Sequence, residues 1–243
     1  MKASVAELVQ LPGVWRGGEL EQARQPSIPT GHAALDAELP GGGWPTGTLS
    51  EVLHDGVGLG EITLLAGALA RATEGERLVA WIHPPHLPYA PAIEQAGIPL
   101  ARCLVVRPAG REDALWAAEQ ALKSGACGAV LLWMERFAEE YAWLRRLQMA
   151  AQAGRAMAVL FRSTAAERHS SPSHLRVVLA RAGQALEVRI PKRRGRPLEQ
   201  PLQLALPRPW DGKASLSPSA FAANDPTPAF ESEARPAFQL VGR

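Results

Sequence analysis

The sequence predicts an α/β protein with a mostly parallel sheet flanked by helices, followed by a C-terminal antiparallel extension and a disordered tail. Short apolar runs alternate with segments whose apolar residues repeat at helical spacing, the pattern of a parallel sheet with helices on both faces. After Ser163 the pattern changes, because residues 174–190 contain two alternating runs around a short glycine turn and so predict an antiparallel hairpin. From Pro207 onward proline, serine and alanine predominate without periodicity, which predicts disorder.

The chain is accordingly expected to have three regions. A polar leader, in which a few apolar residues fit one face of a short helix, precedes the core, and the tail follows it. These regions are residues 1–27, 28–206 and 207–243.

Within the core, each predicted element depends on a local pattern. Residues 128–134 (GAVLLWM) are almost all apolar, which suits a strand buried on both faces. Residues 112–123 place Leu115, Ala118 and Leu122 on one helical face. In chain order, the predicted strands are 49–53, 77–82, 103–108, 128–134, 156–162, the hairpin 174–190 and 201–206. The predicted helices run from Thr30, a candidate N-cap, to Leu39, then over 62–72, 90–96, 112–123 and a segment from Phe137 to Ala151.

The overall composition is that of an ordinary soluble globular protein. The chain is 47% hydrophobic and 21% charged, and its net charge is +2, so any attraction for nucleic acid must be local. No stretch approaches the roughly 18 apolar residues that span a membrane, and the first residues lack the apolar core of a signal peptide. A cytoplasmic protein that does not associate with membranes is expected.

The cysteines and most tryptophans are expected to lie in the interior. Cys103 and Cys127 both occur within apolar runs, which favours buried reduced thiols over a disulfide or a metal site. Tryptophans on predicted strands and helices are expected to pack in the core, whereas Trp44 lies in a Gly/Pro loop and its exposure stays open. The expected core tryptophans are Trp81, Trp116, Trp133 and Trp143.

The stretch EVLHDGVGLGEITLL, residues 51–65, has the layout of a phosphate-binding loop. An apolar strand leads into a glycine-rich turn, and an apolar helix follows. Glycines in such a turn let backbone amides and the helix N-terminus form a nest for an anion. The glycines here are Gly56, Gly58 and Gly60.

The residues that follow the turn argue against nucleotide chemistry. An active loop ends in Gly-Lys-Ser/Thr, whose lysine contacts the phosphates and whose hydroxyl binds magnesium. Here Glu61 places a carboxylate in the lysine position, and Ile62 carries no magnesium ligand. Asp55 and Glu61 together disfavour a polyphosphate because like charges repel. These residues predict an ordinary strand-to-helix turn without ATP hydrolysis and without a cofactor.

Two other positions where an ATPase carries acids also lack them. The apolar strand 128–134 ends in Trp133 and Met134, where a magnesium-binding Asp would stand. The strand 77–82 leads into the turn His83-Pro84-Pro85-His86, again without an acid. The side chains that an ATPase needs are thus absent at the end of the glycine-rich loop and after both strands, and together these three absences predict a degenerate nucleotide site.

The turn formed by His83, Pro84, Pro85 and His86 is a candidate partner contact, because its prolines stiffen the backbone at the tip of a strand. A rigid exposed turn without a partner explains the same residues. The two histidines lack a third ligand, so no metal site is expected.

A cluster of basic residues ends the predicted hairpin and follows it. Gly195 and Pro197 within the cluster predict a mobile loop, and its charges could contact a DNA backbone electrostatically, without sequence specificity. A solvated loop, or a surface that meets an acidic partner, explains the same residues. The basic residues are Arg189, Lys192, Arg193, Arg194 and Arg196.

Three longer segments carry a more specific signal. They are TGHAALDAELPGGGWPTGTLSEVL, WIHPPHLPYAPAIEQAGI and DALWAAEQALKSGACGAVLLW. Together they resemble the ImuA family, RecA-like accessory proteins of bacterial SOS mutagenesis, and the similarity covers roughly residues 1–206. The resemblance implies a RecA-like P-loop NTPase core. The departures from the pattern of an active RecA ATPase are Glu61, Ile62, Trp133 and Pro85.

The resemblance implies a protein without intrinsic catalysis. ImuA-type proteins are similar to a RecA protomer and act in damage-induced translesion synthesis with ImuB, a Y-family polymerase-like partner, and with an error-prone replicative-type polymerase. RecA is a further candidate partner, and so is DNA through the basic loop. Two alternatives stay open: a SulA-like cell-division inhibitor that acts on FtsZ, and a divergent DNA-stimulated ATPase.

Overall fold

The computed structural model describes residues 26–56, 58–134, 141–183, 185–195 and 198–205. The predicted leader helix, the predicted disordered tail and Arg196 lie outside these residues. Contacts within the chain separate Met1–Pro209 from Trp210–Arg243, and every described residue belongs to the first of these units.

The described strands build one large mixed sheet and one small antiparallel pair. They are β1 Ser27–Ile28, β2 Trp44–Pro45, β3 Thr48–Leu53, β4 Leu78–Ile82, β5 Cys103–Val106, β6 Cys127–Trp133, β7 Met157–Arg162, β8 Leu175–Ala182, β9 Ala185–Lys192 and β10 Leu202–Leu204. The large sheet has the order β10-β9-β8-β3-β7-β6-β4-β5, and β1 pairs with β2. From β8 to β5 every pairing is parallel, whereas β9 and β10 add antiparallel strands beyond β8. The predicted mostly parallel sheet with a C-terminal antiparallel extension is confirmed.

Helices cover both faces of this sheet. They are α1 Ala33–Glu38, α2 Glu61–Ala72, α3 Ala90–Gln95, α4 Arg111–Lys123 and α5 Tyr141–Gly154. The α2 helix packs with Trp81 and Trp133 on one face, whereas α4 and α5 pack with Ile82 and Leu132 on the other. Side chains of a strand point alternately to its two faces, so the central strands are buried on both sides and are continuously apolar. No helix in the described ranges is long and apolar enough to cross a membrane.

The start of α1 differs from the prediction. The helix begins at Ala33, with His32 rather than Thr30 at the N-cap position. The Thr30 hydroxyl accepts the His32 N–H at 2.9 Å, and the Asp36 carboxylate accepts the Thr30 N–H at 2.8 Å. Through these hydrogen bonds Thr30 stabilises the turn that precedes the helix. The intervening Gly31 has a φ of +89°, which is outside the helical region, so Thr30 lies before the helix.

The interior also differs from the prediction at particular side chains. Trp116 is 63% exposed, whereas Trp44, whose exposure the sequence left open, is fully buried. Both cysteines are free thiols, but only Cys127 is buried and Cys103 is half-buried. Trp116 projects away from the sheet because the buried face of α4 is formed by Ala114, Leu115, Ala118 and Leu122.

One close contact between helix and sheet requires a glycine. A Cβ atom on Gly128, in β6, would lie 1.8 Å from the carbonyl oxygen of Ala72 at the end of α2. The clashing atom is backbone, so it cannot move without displacing α2 from the close-packed core. Gly128 thus allows the end of α2 to lie close against the sheet.

Replacing Gly128 by Ala is expected to lower the free energy of unfolding by about 3 kcal/mol, because overpacking at this contact shifts backbone. Urea denaturation followed by circular dichroism measures the loss. Gly110→Ala is the matched control, since Gly110 has an extended φ of −156° and open space around its Cβ position. Equal stabilities of the two variants would contradict this packing.

Candidate functional site

The glycine-rich turn lies at the carboxyl edge of the sheet, between β3 and α2. Gly56, Gly58 and Gly60 have φ angles of +85°, +75° and +103°, in the left-handed region that favours glycine. Gly60 is the N-cap residue of α2. The chain therefore passes from strand to helix N-terminus as it does in an anion-binding loop.

Glu61 occupies the N-terminus of α2 with its own carboxylate. Its Oε2 accepts the N–H of Gly60 at 3.1 Å, and negative charge is favourable at this end of the helix dipole. Ile62, the next residue, packs against the core on the α2 face. The Gly60 amide, which could otherwise bind a phosphate, thus donates to Glu61. The Ile62 side chain, in the magnesium-ligand position, contacts the core.

Asp55 ties the turn to the chain that follows β7. Its carboxylate accepts hydrogen bonds from the Ser163 hydroxyl at 2.8 Å, from the Thr164 N–H at 3.1 Å and from the Thr164 hydroxyl. The hydrogen bonds from Thr164 and Ser163 hold the pKa of Asp55 below its ordinary value. On the other side, the Arg181 guanidinium donates to the Gly58 carbonyl oxygen at 3.2 Å. The turn is therefore anchored from two sides, by the segment that follows β7 and by the β8–β9 hairpin.

Trp133 belongs to an aromatic stack that crosses the sheet towards the turn. Its ring stacks on Phe161 of β7 and on Trp81 of β4, with centroid separations of 4.5 and 5.9 Å. His54 meets Phe161 edge-on, and the His54 Nδ1 lies 2.9 Å from the Gly56 carbonyl oxygen. Only 4% of Trp133 is exposed. The position that the resemblance assigns to a magnesium-binding acid is therefore a core position in this protein.

The turn at residues 83–86 lies at the same edge, beside Trp133. The His83 N–H donates to the last carbonyl of β5 at 2.9 Å, and the His83 Nδ1 lies 3.2 Å from the Trp133 carbonyl oxygen. Pro85 and His86 are exposed. The start of the turn is held in place and its tip is accessible. Within the described residues, His, Cys, Asp and Glu side chains form no group of three that could hold a metal ion.

The first part of the basic run lies in a strand and not in the mobile loop that the sequence predicted. Arg189 and Lys192 lie in β9, which pairs antiparallel with β8. The Arg189 guanidinium donates to both carboxylate oxygens of Glu167, at 3.1 and 2.9 Å. The Lys192 Nζ donates to the Ser171 carbonyl oxygen at 2.7 Å. These two residues are therefore fixed on a strand by contacts with the segment between β7 and β8.

Of the remaining basic residues, Arg193 is also held within the fold. Its guanidinium pairs with the Glu38 Oε2 at 2.8 Å and donates to the Glu38 carbonyl oxygen. Arg194 is exposed, and Arg196 lies outside the described residues. The expectation of a mobile loop is wrong for Arg189, Lys192 and Arg193, because strand pairing orders the first two and distant acids pair with Arg189 and Arg193.

A buried charge network lies in β3, just before the turn. Glu51 is fully buried, and its Oε2 lies 2.8 Å from the Arg162 Nη1 and 3.3 Å from the Arg176 Nη2. The Ser171 hydroxyl donates to its Oε1. Arg162 ends β7 and Arg176 lies in β8. The network therefore joins the central strand β3 to its two neighbours.

Sequence reasoning missed this network. Burial by itself raises the pKa of a carboxyl group, but the Ser171 hydroxyl with the Arg176 and Arg162 cations outweighs burial and holds the pKa of Glu51 below its ordinary value. In the sequence, the sign of a buried charge was Glu51, an acid inside the apolar run LSEVL. The partners lie 111 residues away for Arg162 and 120 residues away for Ser171, and no local pattern indicates them.

The candidate residues lie at two opposite edges of the sheet. The turn, Trp133 and His83 lie at the carboxyl ends of β3, β6 and β4. Lys192 pairs with Arg176 near the start of β8, and β8 runs parallel to β3, so Lys192 lies at the amino edge. The motifs singled out from the sequence therefore do not converge on one pocket.

Comparisons with known proteins show similarity to two kinds of protein. A family model described as "Cell division inhibitor SulA" matches residues 47–158. RecA of Clavibacter michiganensis subsp. michiganensis (strain NCPPB 382) is 32% identical over 119 residues, 49% of this chain and 33% of that protein. RecA of Thermus aquaticus is 30% identical over 119 residues, 49% of this chain and 35% of that protein. SulA of Edwardsiella piscicida, a cell division inhibitor, is 35% identical over 97 residues, 40% of this chain and 56% of that protein.

These matches are partial on both sides. The chain spans about a third of the length of these RecA relatives and 56% of the length of this SulA. The segment matched by the SulA model includes the glycine-rich turn and the strands β3 to β6. The mostly parallel sheet agrees with these matches. The chain is distantly homologous to RecA over about half of its length and has a RecA-like α/β fold.

Proposed function

We propose that this chain is a non-catalytic RecA-like adaptor in SOS-induced, error-prone translesion DNA synthesis, acting in the cytoplasm. Its proposed partners are an ImuB-type Y-family polymerase-like protein and an error-prone replicative-type polymerase, with RecA as a further candidate. The main support is the contact of the Glu61 Oε2 with the Gly60 N–H at 3.1 Å, which places a carboxylate where an anion would bind. The resemblance to the ImuA family suggests the partners.

The other candidate positions of the nucleotide site support the same proposal. A P-loop ATPase needs a lysine, a hydroxyl and a magnesium-binding acid at the positions of Glu61, Ile62 and Trp133. Ile62 is partly buried and packs against the core, and Trp133 lies in the aromatic stack. A scaffold with these contacts is suited to binding proteins rather than to hydrolysing a nucleotide.

Exposed apolar side chains next to the turn at residues 83–86 are suited to partner contact. Leu87 is 71% exposed and Tyr89 is 55% exposed. The neighbouring edge strand β5 also exposes Leu104 and Val105, one on each of its faces. Clustered apolar side chains at a protein surface often mark interaction sites, and tyrosine is enriched among residues that dominate binding.

Co-purification with the partners tests the adaptor role. The tagged full-length chain, co-expressed with an ImuB-type protein and the error-prone polymerase, is expected to retain the ImuB-type protein on the affinity resin. Replacing Leu87 and Tyr89 together by Ser is expected to weaken this association at least about tenfold, since each removes a large apolar contact. Trp116→Ser is the control, because Trp116 is comparably exposed, at 63%, and belongs to a different element, α4. Failure of the wild-type chain to retain the ImuB-type protein would contradict the adaptor role.

A second candidate function is inhibition of cell division through FtsZ. The match to the SulA family model and the 35% identity to a SulA protein favour it. Overproduction of the chain in cells that lack the ImuB-type protein separates the two functions. Filamentous growth there, without DNA damage, would favour division inhibition. Normal division together with retention of the ImuB-type protein would favour the adaptor.

A divergent DNA-stimulated ATPase is the remaining alternative, since the turn keeps glycines with positive φ. We expect no ATP turnover above background, with or without DNA. Turnover that disappears in a Gly60→Trp variant would overturn the non-catalytic role, because a bulky side chain at this turn closes the space where an anion would bind.

A further inference from the structure

One side of α5 exposes large side chains to solvent. The residues of α5 that face the core are all buried, and they are Leu144, Leu147, Gln148, Ala150 and Ala151. On the opposite side Tyr141 is 49% exposed and Met149 is 60% exposed, and Arg145 between them is also exposed. Residues four apart lie one above the other on a helix, so these three side chains form a line. We call Tyr141, Arg145 and Met149 the α5 row.

The α5 row is about two helical turns long. Tyr141 and Met149 are separated by about 12 Å along the helix axis, at about 1.5 Å per residue, and Arg145 lies midway between them. The row therefore offers an apolar contact at each end and a cation in the middle. A partner helix fits this spacing if it carries apolar residues two turns apart and an acid between them.

The composition of α5 is typical of a protein interface. Its sequence, YAWLRRLQMAAQAG, contains two arginines and no lysine, aspartate or glutamate. Interfaces are enriched in aromatic residues, methionine and arginine, and they are depleted in lysine, aspartate and glutamate. The neighbouring helix α4 differs, because it contains Glu112, Asp113, Glu119 and Lys123. The exposed side of α5 is therefore suited to bind a protein, whereas α4 has the charges of an ordinary solvated helix.

Arg145 supplies the charge that a partner would contact. The adjacent Arg146 is held within the protein, because its guanidinium pairs with Glu119 at 2.5 Å and lies 4.7 Å from the ring centroid of Trp143. No carboxylate among the described residues forms an ion pair with Arg145. A guanidinium binds a carboxylate through charge-assisted and often bidentate hydrogen bonds. The group that complements Arg145 is therefore an acid.

The α5 row is separate from the exposed apolar side chains at Leu87 and Tyr89. Those two residues lead into α3, whose Ile93 packs in the core on the same face of the sheet as α2. In contrast, α5 packs with Ile82 and Leu132 on the other face. The two surfaces thus belong to elements that cover opposite faces of the sheet, and one chain presents both.

We propose that the α5 row is a docking surface for an acidic amphipathic helix of a partner protein. Apolar side chains of that helix contact Tyr141 and Met149, and a carboxylate between them binds Arg145. This inference goes beyond the proposed adaptor role, because it assigns a second surface that the ImuB-type protein does not use. It also stands independently of that role, since binding to the row is measured with a peptide and the adaptor role by co-purification.

Fluorescence anisotropy with two labelled helical peptides, titrated with the full-length chain, tests the proposal. One peptide carries leucine at positions i and i+7 and glutamate at i+3 and i+4, and the other has lysine in place of both glutamates. The wild-type chain is expected to bind the glutamate peptide at least about tenfold more tightly, because lysine would be repelled by Arg145. Arg145→Glu is expected to reverse this preference.

Two further variants separate the apolar contact from the effect of net charge. Met149→Ser is expected to weaken binding of the glutamate peptide at least about tenfold, since it removes one of the two apolar contacts. Arg71→Glu is the matched control for Arg145→Glu, because Arg71 is an exposed arginine on α2, on the other face of the sheet. It changes the net charge equally and is expected to keep the wild-type preference. Circular dichroism is expected to show the wild-type fold for all three, because exposed substitutions change stability little.

Several results would overturn this proposal. One is the absence of saturable binding of the glutamate peptide to the wild-type chain, and another is equal binding of the two peptides. Reversal of the preference by Arg71→Glu would show dependence on net charge alone. Unchanged affinity in Met149→Ser would remove the apolar contact. If Arg145→Glu no longer retains the ImuB-type protein, that protein uses the row. Self-association in analytical ultracentrifugation that Met149→Ser abolishes would make a second copy the occupant.

Discussion

Replacing Glu51 by Ala is expected to destabilise the protein by about 4 kcal/mol. Glu51 is fully buried between Arg162 and Arg176, at 2.8 and 3.3 Å. Removing one member of a buried ion pair leaves its partners charged, desolvated and without compensation, which costs about 3–5 kcal/mol. The network joins β3 to β7 and β8, so the loss falls on the centre of the sheet and on the strand that leads into the glycine-rich turn.

Urea denaturation at neutral pH measures this loss. Glu94→Ala, an exposed glutamate on α3, is the control and is expected to change the free energy of unfolding by less than about 0.5 kcal/mol. If Glu51→Ala were as stable as Glu94→Ala, the buried network would contribute little and its role in joining the strands would be wrong.

The cost of Glu51→Ala is expected to shrink at low pH. In the folded protein the pKa of Glu51 lies below its ordinary value of 4.5, and unfolding returns it to that value. Its contribution to stability is therefore fully present above about pH 4.5 and is lost as the pH falls through the lowered folded pKa. Urea denaturation gives the difference in stability between the wild type and Glu51→Ala. It is measured at neutral pH and at the lowest pH at which both proteins remain folded. A difference in stability that does not depend on pH would show that the charge of Glu51 is not the cause.

The second large effect is expected from Trp133→Asp, the substitution that introduces an acid at the metal-site position. Trp133 stacks between Phe161 and Trp81 and is 4% exposed. Truncating a buried tryptophan costs about 3–5 kcal/mol, and a carboxylate without a partner in that space adds a desolvation cost. We expect the free energy of unfolding to fall by at least about 5 kcal/mol. A domain of ordinary stability would then be largely unfolded.

Trp116→Asp is the matched control, because it introduces the same side chain at a tryptophan that is 63% exposed on α4. It is expected to keep the fold and to change the free energy of unfolding by less than about 1 kcal/mol. Near-ultraviolet circular dichroism and urea denaturation distinguish the two variants. A folded Trp133→Asp protein that binds magnesium would contradict a core role for Trp133 and would weaken the proposal of a non-catalytic scaffold.

The expected result for Trp133→Asp bears on the proposal that this chain carries a degenerate nucleotide site. Trp133 is not a missing ligand beside an otherwise intact site, because its ring fills space between two neighbouring strands. Glu61 likewise bonds the amide of Gly60. Restoring one residue is therefore expected to destabilise the scaffold before it restores any chemistry.

Local patterns in the sequence determined the elements and the class of fold. GAVLLWM predicted a strand buried on both faces, and β6 is such a strand because side chains that alternate in direction are apolar on both sides. The alternating runs after Ser163 predicted the β8–β9 hairpin. The glycines before Glu61 predicted a strand-to-helix turn, since their positive φ angles need residues without a Cβ. In each case the property depends on residues a few positions apart.

Only the tertiary structure decided what the polar groups do. The sequence suggested a mobile basic loop, but Arg189 pairs with Glu167 and Arg193 with Glu38, 155 residues away. It suggested a core position for Trp116, which faces outward, and it gave no hint of the partners of Glu51. Hydrogen bonds and ion pairs act over about 3 Å, so they depend on which distant segments the sheet brings side by side. Pairing of strands across the fold, which no local pattern contains, therefore determined which charges stabilise the protein and which remain at its surface.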